Sequence, residues 1–217
     1  MTDLYTHIHD FFNSLERYSF PYDKDELNHI TDKNGLYILF ENGENYDKYD
    51  RIVRVGSHAA DNRLIKRLRD HFLSKKQRKS VFRKHIGRCF LNNRNDDYLN
   101  VWNKPFNKIV DKEKYKDIVD LEYEQQYEDL ITMHIRTNLS FTVIPKVYKK
   151  SDRDRLEEGL IASLAQSDLK NSSTNWLGNE HPDNKIRQSK IWNIEYLNGK
   201  PITEIEFNNL IMNKYGG

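Results

Sequence analysis

Apolar and polar positions alternate along this chain with two distinct periods, and the period changes mark the elements. Leu4, Ile8, Phe11, Phe12 and Leu15 fall at helical spacing and predict a short amphipathic helix. Asp32-Lys33-Asn34-Gly35 is a turn signal. The unbroken apolar run Leu36–Phe40 after it has the length and residue types of a strand, and Glu41–Asp50, rich in Gly, Asn and Asp, reads as a loop. A second strand follows over Ile52–Gly56, where the glycine permits a close backbone approach.

From Asn62 the period becomes helical: Leu64, Ile65, Leu68 and Phe72 share a face, with Asp61 or Asn62 as N-cap. Basic and apolar residues then interleave through Lys75-Lys76-Gln77-Arg78-Lys79 and Val81–Arg88. Asn92–Asn103 reads as a loop, and Ile118–Ile135 as a helix with core positions Leu121, Tyr127, Leu130, Ile131 and Ile135. Leu139–Val147 returns to strand chemistry, with Pro145 at its end or on an edge. Asp152–Leu164 is a helix buried along Leu156, Leu160, Ile161 and Leu164 and capped by Ser151 or Asp152. Beyond a loop over Asn171–Asn184 that anchors Trp176 in the core, Ile191–Leu197 reads as a strand and Ile202–Met212 as a terminal helix frayed at Gly216-Gly217.

These elements sum to an α/β fold: a small, mostly antiparallel three-stranded sheet of about Leu36–Phe40, Arg51–Val55 and Leu139–Val147, flanked by helices. One domain over 1–217 is expected, with a core at about 34–90 and 139–178, a helical insertion at 91–138 and a C-terminal extension at 179–217. There is no internal repeat.

Composition narrows the class. At 217 residues with 12% aromatic content, the chain can build an aromatic-rich core despite 31% charged residues. Its net charge of +2 gives no global argument for a polyanionic partner, so that argument must be local. The single cysteine, Cys89, excludes an intramolecular disulfide and a thiolate zinc site and reads as a small buried hydrophobe. The segment Met1–Phe11 lacks a basic n-region and an apolar run, and no stretch approaches the roughly 20 apolar residues of a membrane span. A soluble, cytoplasmic protein is expected.

The chemistry concentrates in four side chains. Arg67 and His71 lie one turn apart on a helix, so a long cation and a titratable imidazole share a surface. Glu157 lies along the apolar stripe of a later helix, where a carboxylate needs a partner or a metal. With Tyr37, they could supply a base, positive charge for a pentavalent phosphate and stabilisation of a departing oxygen.

The order Gly35-Leu36-Tyr37, Arg54-Val55-Gly56, Arg67 with His71, then Glu157 with Ile161 and a downstream asparagine resembles the GIY-YIG nuclease superfamily over about Asn34–Gly178. The segments Arg54-Val-Gly-Ser-His, Ser80-Val-Phe-Arg-Lys-His-Ile-Gly-Arg and Asn175-Trp-Leu-Gly resemble a bacterial branch of it; restriction endonucleases of similar length are members too. The resemblance implies a DNA endonuclease, with Tyr37 as base or proton relay and Arg67 on the scissile phosphate. It also implies His71 assisting proton transfer and Glu157 as the single ligand of one Mg²⁺ or Mn²⁺ that stabilises the 3′ leaving oxygen. Asn171 or Asn175 would complete the site.

Arg54 stands where the second triplet of the family begins with tyrosine, and an arginine is no base near neutral pH. Either Tyr37 and His71 suffice for proton transfer, or Arg54 binds phosphate instead, or it marks a nucleic-acid-binding module that keeps the fold without the chemistry. Lys75, Lys76, Arg78, Lys79, Arg83 and Lys84 are the natural phosphate contacts of the basic run. Duplex DNA is the expected partner, with a homodimer or successive nicks needed to cut both strands.

Overall fold

The fold is described from a computed structural model over residues 3–19, 27, 30–212 and 214; the expected fraying at Gly216-Gly217 lies outside these residues. Its centre is an antiparallel sheet with strand order β1-β4-β2-β3, formed by β1 (Tyr18–Ser19), β2 (Gly35–Tyr46), β3 (Tyr49–Gly56) and β4 (Leu139–Pro145). The sheet has four strands where the sequence predicts three. The addition, β1, pairs Tyr18 with Phe141 and is too short for periodicity to reveal.

Strands β2 and β3 run on through Glu41–Asp50 as one long hairpin turning at Asp47, which adopts φ 52°. The loop expected there is a strand because its acids are anchors. Glu41 accepts from the indole nitrogens of Trp176 (3.0 Å) and Trp192 (3.1 Å), and Glu44 pairs with Arg51 at 2.7 Å. A register shift between Leu39 and Phe40 leaves Val53 as the extra residue of a bulge, so that Val53 and Arg54 follow each other on one side of the sheet.

Pleating gives the sheet two apolar faces. Leu36, Ile38, Phe40 and Ile52 pack with α1 (Leu4–Ser14), α7 (Lys150–Gln166) and α9 (Glu204–Ile211). Tyr37, Leu39 and Val53 pack with α2 (Leu64–Phe72), α3 (Val81–Asn93) and α6 (Leu121–Asn138). Segment 91–138 is thus part of the main core, through Trp102 of α4 (Leu99–Trp102) and Tyr127, Ile131 and Ile135 of α6, while α5 (Ile109–Tyr115) buries nothing. Gly87 lets Trp102 approach: a Cβ there would come within 2.3 Å of the indole. Cys89 is buried in the same layer, as expected.

Local expectations change as well: α7 starts at Lys150 with Lys149 as its N-cap, Leu121 is exposed, and α4 lies within the segment read as a loop. The N-cap of α2 is Arg63, because Asn62 at φ 60° exchanges hydrogen bonds with Asn34 and Asp61 pairs with Arg153 at 2.7 Å. Ile191–Leu197, after α8 (Asn184–Ser189), forms no strand: Lys190 and Tyr196 both take left-handed φ and interrupt extension at each end. Trp192 still donates its backbone N–H to Val53 at 2.7 Å, so the segment lies along β3.

Candidate active site

Helix α7 buries Leu156, Leu160, Ile161 and Leu164, and this packing carries Glu157 to the C-terminal end of β3. There Ser57 donates its hydroxyl to the Glu157 carboxylate. Burial pushes the Glu157 carboxyl up from its ordinary value, while the Ser57 hydrogen bond and then the guanidinium groups of Arg54 and Arg67 pull the other way. The desolvated anion therefore has cationic neighbours from both a strand and a helix.

Arg67 projects from α2 and lines two adjoining spaces together with Glu157. One is an open cleft of about 610 Å³ bounded also by Ser57, Lys66, Asp154 and Glu195; the other is a smaller cavity of about 140 Å³ bounded by Arg54 and Asn193. Among the described residues the Arg67 guanidinium has no hydrogen bond or ion pair, whereas its neighbours Lys66 and Lys150 are bound to Asp70 and Asp154. Its guanidinium is free for an incoming anion.

Tyr37 and His71 meet behind this wall. The Tyr37 hydroxyl is 2.7 Å from His71 Nε2, and His71 Nδ1 is 2.6 Å from the Ser80 hydroxyl that caps α3. Both rings are fully buried, and neither lines the cleft. Burial, then Arg67, Arg54 and Arg83, drive the His71 pKa well down, so the ring is neutral and carries a single proton between two hydroxyls. Gly56 is the close approach expected of it: a Cβ there would lie 2.2 Å from the Tyr37 phenol oxygen.

Arg54, aimed by the bulge, donates to the Trp192 carbonyl at 2.6 Å and stands over the Phe82 ring at 5.3 Å. It is buried yet lines the smaller cavity with Arg67 and Glu157. The tyrosine position of the second triplet is thus filled by a fixed cation facing the carboxylate. His58, which the sequence leaves out of the catalytic set, clips a loop: its Nε2 accepts from Gly35 N at 3.1 Å and its Nδ1 donates to the Ala60 carbonyl at 2.7 Å.

The structure does not bring Asn171 or Asn175 to the cleft. Both are exposed and, among the described residues, make no side-chain hydrogen bond, because Trp176, buried beside them, turns the loop toward Glu41 instead. The asparagine on the cavity wall is Asn193, which brackets Val55: its Oδ1 accepts from Val55 N (3.2 Å) and its Nδ2 donates to Val55 O (2.9 Å). A lone polar residue between Trp192 and Ile194 was the only sequence signal for it. Ser57 carried none beyond its place after Gly56.

The basic run is likewise redistributed. Arg83 is fully buried, paired with Glu128 at 2.6 Å and bonded to Thr132 at 2.7 Å, so it is removed from the phosphate contacts. Arg78 is bound by Glu124, and Lys84 donates to the Asn103 carbonyl while burial brings its ammonium down to about 8. Lys75, Lys76 and Lys79 border a separate groove, with Lys75 paired to Asp129 at 3.0 Å. The acids of α6 neutralise much of what the sequence presents as bare positive charge.

Among the described residues, no three His, Cys, Asp or Glu side chains converge to hold a metal by themselves. The cleft instead offers one desolvated carboxylate, Glu157, with Asp154 and Glu195 on its rim. That oxygen-only set fits a hard cation that keeps most of its water, as Mg²⁺ does. No described helix is long and apolar enough to cross a membrane.

A small antiparallel sheet whose strand β3 ends at a cleft of opposed arginine and carboxylate defines an α/β domain that can grip a phosphate and a hard cation together. The family model described as the GIY-YIG domain matches residues 1–211, and the chain belongs to the GIY-YIG family, whose members are nucleases. No curated protein and no solved structure matches it. The match covers both the segment 91–138 and the residues after 178 that supply Asn193 and Tyr196 to the cleft.

Proposed function

We propose that this chain is an endonuclease that hydrolyses DNA phosphodiesters with the help of one Mg²⁺ or Mn²⁺ held at Glu157. The observation that carries the reading is the meeting of Arg67 and Glu157, from two different helices, on the walls of one cleft. A bound cation there would supply Lewis-acid stabilisation of the 3′ leaving oxygen.

Arg67, free of partners among the described residues, grips a non-bridging oxygen of the scissile phosphate and balances the charge that grows in the pentavalent state. Arg54, fixed by Trp192, adds a second positive charge from the strand side. Ser57 holds the Glu157 carboxylate in orientation. Tyr37 takes the proton of the attacking water, and neutral His71 and Ser80 extend the path by which it leaves. Because Tyr37 is out of solvent, substrate binding must open access to its hydroxyl. Cleavage in this sense leaves a 5′-phosphate, and with one site per chain a duplex is cut by two successive nicks or by two copies.

A plasmid-nicking assay tests the reading. Native protein should convert supercoiled to open-circular DNA with Mg²⁺ or Mn²⁺ and stop on chelation, and Glu157→Ala should be inert at equal DNA affinity. Native protein that binds DNA but is as inert as the variant with both metals would sink it. It would leave a binding module in which Arg54 replaced the family tyrosine.

A further inference from the structure

His85, in the segment Ser80–Arg88, has no part in the chemistry assigned to Tyr37, Arg67 and Glu157. It sits on α3, fully buried, and lines the small cavity that Arg54, Arg67 and Glu157 also line. Its hydrogen bonds fix which ring nitrogen carries the proton. Arg88 approaches Nδ1 at 3.2 Å, and a guanidinium can only donate, so Nδ1 is an acceptor. The second imidazole agrees. The Asp183 backbone N–H donates to His181 Nδ1 at 2.9 Å, well inside the 3.4 Å from that nitrogen to the Asp183 carbonyl, which leaves the His181 proton on Nε2; that N–H donates to His85 Nδ1 at 2.9 Å. With Nδ1 accepting on both counts, the His85 proton resides on Nε2. Among the described residues, that buried Nε2 has no hydrogen-bond partner.

A buried donor without an acceptor is costly, and native structures rarely keep one without a use. The cavity explains the use. It has room for a tetrahedral oxyanion, and two guanidinium groups on its wall attract one. Glu157, the anion already there, has its donor in Ser57. Burial first, then His181 and neighbouring cations, bring the His85 pKa down to about 2, so the ring stays a neutral donor at any working pH.

We propose that His85 is a further substrate-contacting residue: once substrate binding opens the small cavity to its sealed Nε2–H, that group donates to a non-bridging oxygen of the scissile phosphate. This rests on the nuclease reading of the same cleft. The His181–Asp183 turn is then a positioning device that keeps the proton on the nitrogen facing the substrate.

Single-turnover cleavage by the Mg²⁺-loaded enzyme tests this with two variants. His85→Asn keeps an acceptor toward Arg88 and His181 but removes the Nε2 donor, whereas His85→Gln extends an amide N–H to the reach of Nε2. Loss of one such donor predicts a fall in kcat of about 100-fold for H85N with KM within about 3-fold, and recovery to within about 10-fold of native for H85Q. A native enzyme that cuts, with H85N within about 2-fold of it, overturns the His85 role alone. A native enzyme as inert as Glu157→Ala overturns the nuclease reading and this proposal with it.

A measurement independent of folded variants at position 85 is the imidazole ¹⁵N spectrum. Nε2 of His85 must be the protonated nitrogen in native protein, and its N–H signal must shift when uncut duplex is added to Glu157→Ala. Protonation at Nδ1, or a signal unmoved by DNA, overturns it.

Discussion

The Ser57 hydroxyl donates to the Glu157 carboxylate, tying the residue just past β3 to the middle of α7. This bond opposes the burial that raises the Glu157 pKa. A folded-state pKa above the unfolded one means that ionising the group costs stability. The cost is absent below the unfolded pKa and develops as pH rises through the folded value. In metal-free buffer at neutral pH, Glu157→Gln should therefore melt above native protein while cutting no DNA, and the gain should shrink toward acid pH. Each kcal/mol relieved corresponds to about 2–4 °C for a chain of this size. An E157Q variant that melts below native at neutral pH would contradict this reading of the carboxylate.

Gly56 and Tyr37 face each other across β2 and β3, with no room for a methyl group between them. Gly56→Ala must push the phenol away from His71 or spread the strands, at a cost of about 1–3 kcal/mol in urea unfolding. Tyr37→Phe removes the hydroxyl that bonds His71 Nε2 and should cost a similar amount, about 1–3 kcal/mol, because the buried nitrogen is left unpaired. Both variants should lose cleavage. Native-like unfolding midpoints for both would show that the packing is looser than this.

Arg83 and Glu128 form a buried pair inside the basic run. Arg83→Met should lose about 3–5 kcal/mol by stranding Glu128, and Arg83→Met with Glu128→Leu should recover most of it. Charge reversal of Lys75, Lys76 and Lys79, which line the outer groove, should instead leave stability nearly unchanged. Each phosphate that these lysines neutralise adds about 0.9 to the log–log salt slope of DNA affinity, so the reversal should flatten that slope. Equal effects of R83M and the lysine reversals on salt slope, with no loss of stability in R83M, would restore Arg83 to the nucleic-acid surface.

That contrast marks where the sequence was legible. Periodicity located α1, α2, α6, α7 and α9, which each bury one apolar stripe, and unbroken apolar runs located the cores of β2, β3 and β4, which are buried on both faces of the sheet. The order of Tyr37, Arg67, His71 and Glu157 carried the family. What failed were polar residues whose partners are distant in sequence: Glu41 and Glu44 read as loop but anchor Trp176, Trp192 and Arg51, and Arg83 read as a surface cation but is satisfied by Glu128. Two-residue β1 and the left-handed breaks at Lys190 and Tyr196 leave no periodic trace at all.

Asn193 is another such residue, since its side chain brackets the Val55 peptide on one side and borders the Glu157 cavity on the other. Asn193→Ala would free the end of β3 that positions Gly56 and Ser57, so it should lower cleavage by about 10–100-fold, the range for a group that orients a ligand-bearing shell. Asn193→Asp keeps the acceptor toward Val55 N, loses the donor toward Val55 O and adds negative charge beside Glu157; it should rescue little. Asn171→Ala and Asn175→Ala, in an exposed loop away from the cleft, should cut within about 2-fold of native. Side-by-side nicking rates for the four variants decide the assignment: a severe loss in N171A or N175A with N193A near native would return the asparagine role to the loop.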